Sequence, residues 1–109
     1  MNPIAAKEEF NKALASAKEL HGWTWQWDLA SRRFGQCRPR TKVISISLQL
    51  VAMNNKAEAV NTFLHEMAHA LENVRYGRSN HDFRWKCICV EIGAKPQRCY
   101  GAEVLRPRS

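Results

Sequence analysis

The sequence predicts one α+β domain: an N-terminal helix, a small three-stranded antiparallel or mixed sheet, and two further helices. Apolar residues recur at helical spacing near the N-terminus, three short segments then alternate with period two, and a long helical pattern follows. Because the three predicted strands follow one another along the chain without helices between them, a parallel βαβ fold is excluded. The length of 109 residues predicts a single domain over residues 1–109.

The first helix is predicted over residues 3–20. Pro3 suits a first helical turn, where its missing N–H costs no hydrogen bond, and His21-Gly22 ends the pattern. The three predicted strands are residues 23–27, residues 33–38 and residues 42–48. The first carries an aromatic face.

A long helix is predicted over residues 56–76. Asn55 can cap it, Glu58 completes a loose capping box, and Gly77 ends it. Its apolar residues form one continuous stripe that comprises Val60, Phe63, Leu64, Met67, Leu71 and Val74.

A last helix is predicted to begin at a cap formed by Ser79-Asn80 and to run to Ile92. Turn residues and a short strand at 102–105 are predicted in the tail, residues 95–109.

The composition indicates a basic protein that lies outside the membrane. No stretch approaches the roughly 18 apolar residues of a membrane span, and the N-terminus lacks the pattern of a signal peptide. We therefore expect a cytoplasmic location, in which cysteines stay reduced. The cysteines are predicted to be buried or half-buried free thiols that act as small hydrophobes; they are Cys37, Cys87, Cys89 and Cys99.

The net charge is +7, and part of it is concentrated in a basic cluster without acidic residues. This cluster comprises Arg32, Arg33, Arg38, Arg40 and Lys42. Such a cluster attracts phosphate backbones and acidic surfaces, but it also describes a solvated strand edge that keeps a protein soluble. The charge alone leaves both interpretations open.

The segment His65-Glu66-Met67-Ala68-His69 is an HExxH motif within the long predicted helix. The spacing places both imidazoles one turn apart on one face, where they can ligate one zinc ion. Glu66 follows about 100° round the helix and can act as general base toward a water molecule that the metal acidifies. His65 and His69 project away from the apolar stripe, so we expect them on a face that lines a cleft.

A zinc peptidase site usually has three protein ligands, so the motif needs a third. The metzincin extension is excluded because Glu72 and Arg75 stand where it requires Gly and His. Glu91, on the following helix, and His81, at the predicted start of that helix, are the remaining alternatives.

From residue 27 to residue 92 the sequence resembles the SprT-like zinc metallopeptidases. The resemblance rests on Gly35-x-Cys37, Ile44-Ser45-Ile46-Ser47-x-x-Leu50, His65-Glu66-Met67-Ala68-His69-Ala70 and His81-x-x-x-Trp85. It implies a zincin-like fold with His81 as the third zinc ligand and Trp85 as a packing aromatic. Asp82 departs from the family, which has glycine there.

The resemblance further implies an endopeptidase that cleaves proteins bound or crosslinked to DNA and is stimulated by DNA. Trp23 and Trp25, beside the basic cluster, could stack on single-stranded DNA, although alternating tryptophans on a strand are more often core residues. SprT-like chains commonly carry a zinc ribbon or another C-terminal region after the catalytic domain. The sequence therefore resembles either a bare peptidase domain or one in which residues 95–109 are the start of such a region. The alternatives are a zinc-containing DNA-binding module with vestigial or no peptidase activity, and a general peptidase without a DNA role.

Overall fold

The computed structural model describes residues 1–78 and 82–96. Along the chain, the elements are α1 (Pro3–Ser16), a 3-10 turn (Lys18–Leu20), β1 (Thr24–Asp28), β2 (Gly35–Arg38), β3 (Val43–Ser47), α2 (Leu48–Met53), α3 (Lys56–Tyr76) and α4 (Phe83–Ile92). The predicted α+β class, the three strands and the long helix are confirmed. Among the described helices, none is both long and apolar enough to span a bilayer.

The first helix is shorter than predicted. Asn2 caps α1 by accepting a hydrogen bond from the N–H of Ile4 at 2.8 Å, and Pro3 follows at the first helical position. Ala17 then adopts an extended backbone that breaks the α-helical hydrogen bonding. A separate 3-10 turn follows and brings Leu20 into the core, where the side chain is 2% exposed.

The sheet is mixed, with the strand order β1-β3-β2. β1 runs parallel to the central strand β3, and β2 pairs with β3 antiparallel, with Gly35 opposite Ile46 and Arg38 opposite Val43. β2 is therefore an edge strand of the described sheet.

Ser47 connects the sheet to a short helix that the sequence did not predict. Its hydroxyl donates to the carbonyl of Ala30 at 2.6 Å and accepts from the N–H of Leu50 at 3.2 Å, so that it caps α2. The residue is fully buried, in a strand whose alternation alone would suit a solvent-facing serine. Its buried hydroxyl is satisfied by these two hydrogen bonds.

The long helix α3 has the predicted bounds. Asn55 accepts from the N–H of Glu58 at 2.9 Å, and Gly77 ends the helix in the left-handed conformation with a φ of 79°. The predicted cap of the last helix is wrong: Asp82, rather than Ser79-Asn80, caps α4. The predicted strand at 102–105 lies outside the described residues.

An aromatic cluster joins α1, β1 and α3. Phe10 and Phe63 stack with ring centroids 4.5 Å apart, and Trp25 meets both rings edge-on. The aromatic face predicted for the first strand is thus part of the core that holds the motif helix against the sheet.

Candidate metal centre

The HExxH motif lies in the middle of α3, where residues outside the apolar stripe are buried as well. His65 is 3% exposed, Glu66 is 7% exposed and His69 is half-buried. The side of α3 that carries the two histidines is therefore covered at His65 and partly open at His69. That this side lines a cleft stays a prediction.

Trp85 from α4 covers the two imidazoles. Its side chain is fully buried, and its ring stacks on His69 at a centroid distance of 5.2 Å and an interplanar angle of 23°. It meets His65 edge-on, also at 5.2 Å, and its indole N–H donates to the carbonyl of His65 at 3.5 Å. Trp85 is thus the packing aromatic that the resemblance implied, and it restricts the orientation of both rings.

The first turn of α4 is fixed to α3 by polar contacts. The carboxylate of Asp82 accepts the N–H of Trp85 at 3.2 Å, and this bond holds the pKa of Asp82 below its ordinary value. Arg84 lies 3.4 Å from the fully buried carboxylate of Glu72 on α3. Asp82, which replaces the family's glycine, therefore serves as a helix cap that helps to place Trp85.

Glu66 packs directly against the edge strand β2. A Cβ atom at Gly35 would lie 2.9 Å from Cγ of Glu66 and 3.2 Å from Cδ1 of Ile46 and Cγ2 of Thr62. Such distances are too short for ordinary contacts, so this position requires glycine for a close approach of backbone to side chain. The Gly35-x-Cys37 pattern is part of the resemblance to the SprT-like family, and the close approach of Glu66 on α3 explains why residue 35 is glycine.

The Cys37 thiol interacts electrostatically with the carboxylate of Glu66. Burial, and then the charge of Glu66, raise the pKa of the Cys37 thiol to about 12. Cys37 therefore remains a neutral thiol beside a carboxylate. Cys37, Cys87 and Cys89 are all free, and Cys37 is half-buried and Cys89 buried as predicted. The predicted burial is wrong for Cys87, which is exposed on α4. Cys99 lies outside the described residues.

The donor chemistry of the motif fits zinc. Two imidazoles one helical turn apart, with a buried carboxylate between them in sequence, are the types of ligand and base that a zinc hydrolase uses. Within residues 1–78 and 82–96, no three metal-binding side chains come together. The two motif histidines are thus the candidate ligands within the described part of the chain, and His81, the predicted third ligand, lies outside it.

Glu91, the alternative third ligand, forms an ion pair with Arg75 near the end of α3. Its carboxylate pairs with Nη2 of Arg75 at 2.8 Å, and the same guanidinium binds Glu19 at 2.7 Å. Arg75 follows His69 by six residues, or about 9 Å along the helix axis. The ion pair therefore draws Glu91 toward the end of α3, away from the imidazoles.

Replacement of Arg75 with alanine should lower the free energy of unfolding by about 1 kcal/mol or less at neutral pH, because the partners are exposed and screened. Hydrogen bonds from Arg75 hold the pKa values of Glu19 and Glu91 below 4.5. The stabilisation is therefore present above that pH and is lost as the pH falls through the lowered values. Urea titrations of both proteins at neutral and acidic pH test this; a difference that persists in acid would contradict it.

The basic cluster divides between the two ends of β2. Arg32 and Arg33 precede the strand, and Arg33 lies 3.5 Å from Asp28. Arg38 ends the strand, three residues or about 10 Å beyond Gly35, and the exposed side chains of Arg40 and Lys42 follow. Positive charge thus flanks the edge strand that packs against Glu66.

The two tryptophans predicted as DNA contacts owe their positions mainly to packing in the core. Trp23 is 7% exposed, and Trp25 is half-buried, with its indole N–H donating to Asn11 at 2.7 Å. The core interpretation of Trp23 and Trp25 therefore explains their positions without a nucleic acid. A DNA contact by either ring stays a prediction.

The fold and the site together define an α+β domain in which a helix with the HExxH motif is held between a mixed sheet and a following helix. The model of the SprT-like family matches residues 5–104. The chain belongs to the SprT-like family, which confirms the resemblance found from its motifs. No curated protein and no solved structure matches the chain significantly.

Proposed function

We propose that this SprT-like chain is a zinc-dependent endopeptidase that acts on proteins bound or crosslinked to DNA. His65, His69 and His81 hold one zinc ion in this proposal, and Glu66 is the general base. The observation that carries it is the packing of the motif: Trp85 contacts both imidazoles, and Gly35 leaves room for Glu66. A helix with two coincidental histidines requires neither feature.

The chain's own groups supply the positioning and the proton transfers. Zinc, when bound, would acidify a water molecule and polarise the scissile carbonyl. The carboxylate of Glu66 accepts the proton of the attacking water and then delivers it to the amide nitrogen that leaves. The burial of Glu66 excludes bulk water, which strengthens its electrostatic interaction with the reacting groups.

The DNA part of the proposal is supported by family membership and by the positive charge around β2. A strand flanked by cations at both ends can lie along a phosphate backbone, and such contacts are sequence-independent. Because the same strand packs on Glu66, a nucleic acid bound there would bring an attached protein close to the proposed catalytic residue.

Cleavage of a DNA-binding protein with and without single-stranded DNA tests this proposal. Replacement of Arg40 and Lys42 with glutamine should remove most of the stimulation by DNA. It should also reduce the slope of log affinity against log salt by about 1.4, since each phosphate that a cation neutralises adds about 0.7 on a single strand. The control replaces Lys7 and Lys12, two exposed lysines on α1, with glutamine and should retain both properties.

The outcomes separate the alternatives. Cleavage that is indifferent to DNA and salt would indicate a general peptidase, in which the basic cluster serves solubility. DNA binding without any cleavage by the wild-type chain would favour the DNA-binding module instead.

Gly35→Ala tests the contact between β2 and Glu66. The added methyl group should displace Glu66, lower the free energy of unfolding by about 1–3 kcal/mol and reduce the rate of cleavage by the folded protein. Gly22→Ala is the control: Gly22 has a φ of 87° and nothing within 4 Å of an added Cβ atom, so alanine introduces backbone strain without a contact to Glu66. Equal activity of the two variants under conditions where both are folded would contradict the role of Gly35.

A further inference from the structure

The two faces of the sheet have different surroundings. On the inner face, which the helices cover, Gly35 of β2 lies against Glu66 of α3. Because side chains alternate along a strand, Gln36 and Arg38 of β2 lie on the opposite face, which we call the outer face. Gln36 is half-buried there and Arg38 is exposed.

The outer face carries a row of polar side chains across all three strands. Gln26 of β1 and Gln36 of β2 both lie opposite Ser45 of the central strand β3, so the three side chains point to the same side. Ser45 is fully buried, and its hydroxyl has no hydrogen-bond partner within residues 1–78 and 82–96. Buried hydroxyl groups are normally satisfied, so this one, at the centre of the row, indicates a partner from outside the chain.

Positive charge borders this row. The side-chain oxygen of Gln36 accepts hydrogen bonds from Nε and Nη2 of Arg38 at 3.4 and 3.3 Å, which hold the guanidinium on the outer face. Arg40 and Lys42 follow in the turn to β3, and both are exposed. Lys42 has a φ of 58°, in the left-handed region that favours glycine. The backbone therefore does not account for a lysine at this position, whereas a role for its charge does.

We propose that the outer face of the sheet binds DNA through its phosphate backbone. Gln36, Arg38 and Ser45 are the contacts on the strands, and the two exposed cations of the following turn extend them. The inference rests on the DNA role proposed above, and it names the surface and the part of the nucleic acid that this surface contacts. Arginine, glutamine and serine side chains all commonly donate to phosphate oxygens. The glutamines beside Ser45 have long side chains that can turn aside and open its hydroxyl to such an oxygen.

The composition of the outer face favours the backbone of DNA over its bases. No aromatic ring on which a base could stack occupies the outer-face positions of the three described strands, which are Thr24, Gln26, Asp28, Gln36, Arg38, Val43, Ser45 and Ser47. Asp28 is the one acid among them and lies 3.5 Å from Arg33. A DNA backbone presents acceptor oxygens at regular intervals, which match donors that run from Ser45 through Arg38 to the turn. Duplex and single-stranded DNA should therefore both bind.

A strand without bases tests backbone recognition most directly. The wild-type affinity for an abasic strand should lie within about 3-fold of that for an ordinary single strand of the same length, since each stacked base would otherwise contribute about 5- to 150-fold. A loss of affinity beyond that range when the bases are absent would overturn the proposal, because stacking would then carry the binding.

Ser45→Ala separates a binding role from a structural one. It removes the buried hydroxyl, so the thermal stability of the free protein should stay the same or rise, whereas the affinity for DNA should fall by about 10-fold. Ser16→Ala removes a hydroxyl that is bonded within α1, and it is the control that should retain the wild-type affinity.

Arg38→Gln should reduce the slope of log affinity against log salt by about 0.9 on duplex DNA and about 0.7 on a single strand. Its control, Lys12→Gln on α1, should leave the slope unchanged. Wild-type binding by both Ser45→Ala and Arg38→Gln would overturn the outer face as the binding surface and leave the DNA role in place. A wild-type chain that binds no DNA would overturn both proposals. Equal affinity for poly-glutamate of the same total charge would overturn the assignment to DNA.

Discussion

Glu66→Gln is expected to reduce peptide-bond hydrolysis by roughly 10²–10⁴-fold, the usual contribution of a general acid–base group. Glutamine has nearly the same shape, so it should fit beneath Gly35 as the carboxylate does. It cannot accept the proton of the attacking water. The fold, the zinc content and the affinity for DNA should therefore stay close to those of the wild type.

Initial rates on a DNA-bound protein substrate, with metal content measured on the same samples, provide the test. Glu58→Gln is the matched control, because it makes the same substitution on α3 about two turns before Glu66. The control should retain wild-type activity. Substantial cleavage by Glu66→Gln would show that another group performs the proton transfer.

Trp85→Ala is expected to lower the free energy of unfolding by about 3–5 kcal/mol, as for other large aromatic side chains removed from a core. The loss is large against the roughly 5–15 kcal/mol of a typical domain. It should also weaken zinc binding, because the ring contacts both His69 and His65 and restricts their orientation.

Urea unfolding and chelator competition measure the two effects. Phe83→Ala removes an aromatic ring from the same helix at a position that is 78% exposed, and it should change both quantities little. Trp85→Phe keeps a ring against the imidazoles and should recover most of the stability. Equal effects of Trp85→Ala and Phe83→Ala would contradict the packing role of Trp85.

The long motif helix was predictable because its signals are local. Asn55 and Gly77 mark its ends, and the HExxH spacing determines which side chains share a face. The short helix α2 was not predictable, because Ser47, its cap, also continues the alternation of β3.

The start of α4 shows a different limit of prediction from the sequence. Ser79, Asn80 and Asp82 all favour the cap position, and the sequence does not rank them. Asp82 caps the helix in a structure where Arg84 of the same turn lies beside the buried Glu72 on α3. That contact joins residues twelve apart, so a local pattern does not contain it.

The burial of the site also depends on distant partners. The helical pattern distinguished the face of His65 from the apolar stripe, but Trp85 and Lys95, which cover that histidine, are twenty and thirty residues away. The contact between Gly35 and Glu66 likewise joins two elements that become neighbours only in the fold. Residue types and spacing predicted the chemistry of the site, whereas its packing required the tertiary structure.

Native mass spectrometry of the metal-loaded chain tests the central claim most directly. We predict one zinc ion per chain in the wild type, and its loss in His65→Ala, His69→Ala and His81→Ala. Glu91→Ala should keep the ion, because the Glu91 carboxylate pairs with Arg75. A wild-type chain without zinc, or one that loses zinc in Glu91→Ala and keeps it in His81→Ala, would contradict the metal centre described above.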